Sequence, residues 1–145
     1  MAGTLATIAE SVCRELLAAT LSRSFEAVRL YVPTAGLEEL SAVRVTVRPA
    51  GLELAPETRT AARKTVVVEL GVQERLGDVR DDEQATDDHV ALVEEIADLM
   101  RSAAVAPDLH ARWLATEVVA LAGMEDLERL RVMTSVLRLT YRTVG

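Results

Sequence analysis

Five aspartates and a histidine crowd into the segment "DVRDDEQATDDH", namely Asp78, Asp81, Asp82, Asp87, Asp88 and His89. Hard divalent cations want several carboxylate oxygens, so this cluster is the first place to look for site chemistry. The spacing lacks the alternating acids and central glycine of a calcium loop. The segment reads instead as a solvated linker in which Thr86, Asp87 and Asp88 cap and begin a helix. Neither His89 nor His110 has a neighbouring serine or cysteine arranged for a triad. Cys13, the single cysteine, sits beside Val12 with neither histidine near it in sequence, and reads as a small core residue rather than a reactive thiol.

The rest of the chain adds no catalytic signature. It has no phosphate-cradling glycine loop, no zinc-type Cys/His spacing and no nucleophile elbow, so neither an enzyme activity nor a cofactor is expected. Arg44, Arg48, Arg138 and Arg142 occupy polar strand positions from which they could track phosphates, yet no aromatics interleave with them and the net charge is −7. A wet sheet face or a protein interface is the expectation, without specific nucleic-acid binding.

The elements that must position these residues follow from length and pattern. At 145 residues the chain has the size of a single domain, here 1–145. Only Phe25, Tyr31, Trp113 and Tyr141 are aromatic, so the core must be built from Leu, Val, Ile and Ala. One cysteine excludes an intramolecular disulfide, and the N-terminus lacks the basic region and continuous apolar run of a signal peptide. Synthesis in the cytosol is expected. No apolar stretch approaches the roughly 20 residues that cross a bilayer, so no membrane insertion is expected either. Charge is unevenly placed: 76–100 carries nine acids against Arg80, whereas 129–145 carries Arg129, Arg131, Arg138 and Arg142 with no acid.

"TLATIAESVCRELLAAT" places Leu5, Ile8, Val12, Leu16 and Ala19 on one helical stripe. In "FEAVRLYVP", Val28, Leu30 and Val32 alternate with Ala27, Arg29 and Tyr31, a strand stopped by Pro33 and Gly36. "AVRVTVRPAG" sets Val43, Val45 and Val47 against Arg44, Thr46 and Arg48, and Pro49 with Gly51 is expected to end it. After a polar connection, "RKTVVVELGVQER" puts Val66, Val68, Leu70 and Val72 on one face of a third strand, hairpin-paired to the second. "HVALVEEIADLMRSA" is a helix buried through Val93, Ile96, Met100 and Ala103, closed by Pro107. A short strand at Glu117 to Leu121 and a helical or irregular bridge "MEDLERL" lead to the last strand, "RVMTSVLRLTYRTVG". There Met133, Leu137, Leu139 and Tyr141 face one side and Thr134, Arg138, Thr140 and Arg142 the other. The order α-β-β-β-α-β-β predicts an α+β fold: a mostly antiparallel sheet of four to five strands with the N-terminal helix and one long central helix on one face.

This order of elements, with "FEAVRLYVP", "KTVVVELGV", "HVALVEEIADLMRSA" and the closing "SVLRLTYRTV", resembles the tail terminator and minor tail proteins of tailed bacteriophages across essentially the whole chain. The "LRLTYR" ending is the most characteristic piece. The resemblance implies a virion structural protein of the tail or neck, made in the host cytoplasm and without a cofactor. Such proteins form rings, usually hexameric, that cap the tail tube, stop its polymerisation and present a surface for joining to the head. The implied partners are further copies of the chain, the tail tube protein and a head connector or completion protein, with DNA passing through the ring. A phage head-completion or neck protein, and a non-viral α+β interaction domain, share the size and the lack of site chemistry.

A ring protein works through interfaces, and two candidates stand out. The connection from Pro49 to Ala61, with Pro49, Leu52 and Pro56, is too long for a tight hairpin and is expected to contact the tube or a neighbouring subunit. The acidic segment, through Asp81, Asp82, Asp87 and Asp88, is expected to meet Arg138 and Arg142 of the next copy across a head-to-tail seam.

Overall fold

The apolar stripe of the first helix is buried as its spacing requires. In the computed structural model, which describes residues 3–31, 43–56, 62–75, 82–127 and 130–144, helix α1 (Thr4–Ala18) buries Ile8, Ala9, Val12, Cys13 and Leu16. Strands β1 (Glu26–Arg29), β2 (Arg44–Pro56) and β3 (Ala62–Arg75) follow, then helix α2 (Asp82–Ser102), a short turn at Pro107–Leu109, and strands β4 (Arg112–Leu127) and β5 (Leu130–Val144). The element order is the one read from the sequence, and the fold is α+β.

The five strands lie in the order β1-β2-β3-β5-β4. All neighbours are antiparallel except β1, which runs parallel to β2, so the sheet is mixed. One face carries Val45 and Val47 of β2, Val66, Val68, Leu70 and Val72 of β3, and Leu137, Leu139 and Tyr141 of β5. Both helices contribute to the same core through Ile8, Val12, Leu16, Leu92, Val93, Ile96 and Met100, so they cover one face. Tyr141 is the bulkiest of the fully buried side chains, and no phenylalanine or tryptophan joins it there. Such a core is held by many branched methyls, each buried Val or Leu contributing about 1.5–3 kcal/mol.

Several boundaries differ from the sequence pattern, and each has a local cause. β2 does not stop at Pro49. A bulge between Pro49 and Gly51 inserts Ala50, the alternation flips, and pairing with β3 continues to Pro56↔Ala62. The expected connection from Pro49 to Ala61 is therefore strand as far as Pro56, its last five residues lie outside the described residues, and Pro49 is buried. In β1 the buried residue is Ala27 rather than Val28, because Ala27 stands beside Val45 on the helix side. Arg29 shares that side and pairs with Glu10 of α1 at 3.0 Å. Val32 lies outside the described residues.

α2 begins at Asp82, so Thr86, Asp87 and Asp88 lie inside the helix and are not its cap. Glu83, Gln84 and Ala85 are good helix formers, and Gln84 Nε2 donates to Asp88 Oδ1 at 2.9 Å one turn later. β4 has 16 residues where only Glu117 to Leu121 was expected, and Met124 to Leu127 are strand rather than bridge. Three register shifts interrupt β4, and Ala122 has φ 51°, so no period of two survives in its sequence. β5, by contrast, keeps strict parity, and it lies between β3 and β4. β3 and β4 therefore cover both edges of this strand.

Candidate functional site

His89 falls on the apolar stripe of α2, three and four residues before Leu92 and Val93, so the helix that buries those residues also buries it. Glu74 of β3 and Ser135 of β5 fall by parity on the helix-facing side of the sheet. The three converge: His89 Nδ1 lies 2.9 Å from Glu74 Oε1, and His89 Nε2 lies 2.7 Å from Ser135 Oγ. Arg23, in the connection after α1, donates to both Glu74 oxygens at 3.2 and 2.9 Å. Burial works against the Glu74 charge, but hydrogen bonds from His89 and Arg23 and the Arg23 charge outweigh it, holding the carboxyl at about 2. The carboxylate is thus an acceptor, Nδ1–H donates to it, and in the neutral ring Nε2 accepts from the Ser135 hydroxyl.

The bonding pattern is that of a Ser–His–acid triad, which the sequence reading did not expect for His89. The separations in sequence hide it: Glu74, His89 and Ser135 come from β3, α2 and β5. The available signal was three polar residues at positions whose neighbours are apolar. Chemically the set is closed. His89 and Ser135 are both 0% exposed, and Ser135 Oγ also accepts the Ala122 N–H at 2.8 Å. A nucleophile must come within about 3 Å of a substrate carbon, and the Ser135 hydroxyl is buried and already shared between His89 and the Ala122 N–H. The set ties α2, β3, β5, the β4 bulge and the connection after α1 into one unit. Ser22 adds to the tie by donating its N–H and hydroxyl to Glu95 of α2 at 3.2 and 2.5 Å.

Cys13 is buried in the core, and burial, with the nearby Glu10 charge, pushes its thiol up, which disfavours the reactive thiolate. Among the described residues no three His, Cys, Asp or Glu side chains gather as a metal site. Asp78 and Asp81 lie outside the described residues, and Asp82 is the first residue of α2. Asp87 and Asp88 are exposed on α2. No helix among the described residues is long and apolar enough to cross a membrane.

Arg138 and Arg142 point to the sheet face away from the helices, as parity required. Arg138 is engaged within its own chain, 3.7 Å from Glu69 and 3.8 Å from Glu117, and Glu69 also pairs with Arg48 at 2.8 Å. The result is a row of alternating charge, Arg48–Glu69–Arg138–Glu117, running across β2, β3, β5 and β4. Arg142 stands directly opposite Arg112 of β4, a like-charge pair. Within one chain the α2 acids and these arginines therefore lie on opposite sides of the sheet.

The most exposed apolar residues of the strands lie at its edges. Leu114, Val118, Val119 and Leu121 of β4 are 39–52% exposed, and Leu52 and Leu54 of β2 are 49% and 60% exposed. Among the described residues β4 has a strand partner on one side only. β1 pairs with Arg44 to Val47 alone, so from Arg48 to Pro56 β2 is flanked by β3 and, among the described residues, by no other strand. A scan against protein-family models and a search of curated proteins both find no match for the chain.

Proposed function

We propose that the chain is a structural protein that works by assembling with copies of itself, as a tail terminator ring that caps a phage tail tube and offers a surface to the head. One observation carries the reading: among the described residues no strand lies beside the outer edge of β4 or beside β2 from Arg48 to Pro56, and both stretches carry exposed apolar side chains. Long uncovered edges pair with other chains unless they are blocked; bulges interrupt both stretches and prolines stand in β2, but neither stretch carries a lysine. Two different edges on one molecule favour a heterologous contact, and a heterologous contact that closes on itself makes a ring.

The resemblance in element order supports the phage assignment, and the closed Ser135–His89–Glu74 set fits a scaffold better than an enzyme. The exposed α2 acids Asp87 and Asp88 and the arginine-bearing sheet face give each copy one acidic and one basic side, from which the tube and the connector could each select. The test is assembly. Pure protein should form closed rings as concentration rises, read by sedimentation velocity and negative-stain microscopy, and should bind the ends of tail tubes from its phage. Chains that stay monomeric and ignore tube ends would exclude a terminator.

A further inference from the structure

We propose that the β4 edge of one copy pairs with the Arg48–Pro56 edge of β2 in the next, two edges that have no strand neighbour among the described residues, continuing the sheet from subunit to subunit. The inference rests on the ring reading and names its seam.

Strand direction allows the contact. β2, β3, β5 and β4 alternate in direction, so β2 and β4 of one chain are antiparallel. A second copy set beside the first in the same orientation brings its β2 antiparallel to the first copy's β4, the sense in which edges pair with perpendicular hydrogen bonds. Pro49, which lacks an N–H, sits at the bulge, one of the places within a paired strand where a proline is accommodated.

Charge then fixes the register. The row Arg48–Glu69–Arg138–Glu117 ends on an acid at the β4 edge, and the next copy would continue it with Arg48. A second row, Glu53–Thr65–Arg142–Arg112, ends on two adjacent arginines, and the next copy would supply Glu53. Among the described residues neither Arg112, Arg142 nor Glu53 has an ion-pair partner in its own chain. The two rows are four residues apart on β3 and β5 but five apart on both edges, because Ala50 is inserted in β2 and Leu114 in β4. The matching insertions let Arg48 meet Glu117 and Glu53 meet Arg112 at once, in one register that ends at Glu117, because β1 already pairs with β2 from Arg44 to Val47. The same register sets Leu52 beside Trp113 and Leu54 beside Ala111, covering the two exposed leucines.

Charge exchange tests the seam. Glu53→Arg should place a third arginine beside Arg112 and Arg142, and Arg112→Glu should oppose Glu53. Each should raise the concentration needed for ring formation about tenfold or more. The double variant Glu53→Arg with Arg112→Glu restores opposite charges at every seam and should assemble near the parent concentration. All three should melt near the parent by circular dichroism, since both sites are exposed. In a Cys13→Ala background, chains carrying Leu54→Cys mixed with chains carrying Ala111→Cys should form mixed disulfide dimers. Rings indifferent to both single charge changes, or a double variant no better than its parents, would overturn the seam while leaving the ring reading intact. Disulfides between two Arg112→Cys chains in place of the mixed product would show β4 pairing with itself about a two-fold axis, and would also overturn it. A parent chain that remains monomeric at every concentration and on tube ends would overturn seam and ring together.

Discussion

His89 Nε2 and Ser135 Oγ lie 2.7 Å apart, joining the second turn of α2 to the middle of β5 across 46 residues of sequence. Both side chains are fully buried, so each depends on the other for a hydrogen bond that water cannot supply. Ser135→Ala leaves His89 Nε2 and the Ala122 N–H without this partner and should cost about 1–3 kcal/mol, read from urea denaturation. A fluorophosphonate probe applied to the folded protein should leave Ser135 unlabelled, because no electrophile reaches it. Rapid stoichiometric labelling at Ser135 would revive an acyl-transfer reading.

Acid should act on the same set through Glu74. Its carboxyl sits at about 2 when folded, below the ordinary value near 4.3 that it regains on unfolding. The folded state is therefore favoured above the unfolded value, and that advantage disappears as pH falls from about 4.3 through about 2. A difference of this size is worth on the order of 3 kcal/mol. Stability measured between pH 5 and pH 2 should fall more steeply for the parent than for Glu74→Gln, which has no such carboxyl. Equal slopes would mean that other carboxylates dominate.

Arg138 and Arg142 should respond oppositely to charge reversal in the isolated chain. Arg138→Glu sets an acid between Glu69 and Glu117 and should cost up to about 1 kcal/mol, since the pairs are partly solvated. Arg142→Glu replaces a like-charge neighbour of Arg112 with an opposite one and should stabilise by a few tenths to about 1 kcal/mol. Thermal melts at low salt would resolve the two signs, and the difference should shrink in high salt.

Leu139 tests the parity of β5. It is fully buried beside Val68, so Leu139→Asp loses roughly 2 kcal/mol of burial and adds the larger cost of a buried charge. Against a total of about 5–15 kcal/mol the variant should be largely unfolded at room temperature. Thr140→Asp, one residue along on the opposite face, should fold, and circular dichroism separates the two.

What the sequence determined was whatever depends on short-range period. β5 and β3 pair with each other without a register shift, so Val66, Val68, Leu70 and Val72 and Met133, Leu137, Leu139 and Tyr141 could be assigned to one face from parity; α1 and the second half of α2 repeat at helical spacing, and their stripes could be assigned too. Those four, with the strands in "FEAVRLYVP" and "AVRVTVRPAG" and the short one at Glu117 to Leu121, carried the order of elements and the α+β class. Tertiary structure decided the rest. One inserted residue reverses every later side chain of a strand, so the bulges at Ala50 and along β4 erased the alternation that would have marked both as long strands. Arg23, Glu74, His89 and Ser135 each look like an isolated polar residue in sequence, and only the packing of α2 over β3 and β5 makes them one network. The charged rows are still less legible: Arg48 and Glu117 acquire a relation only when register carries them to opposite edges of one sheet, because a strand's neighbours are set by pairing and not by proximity along the chain.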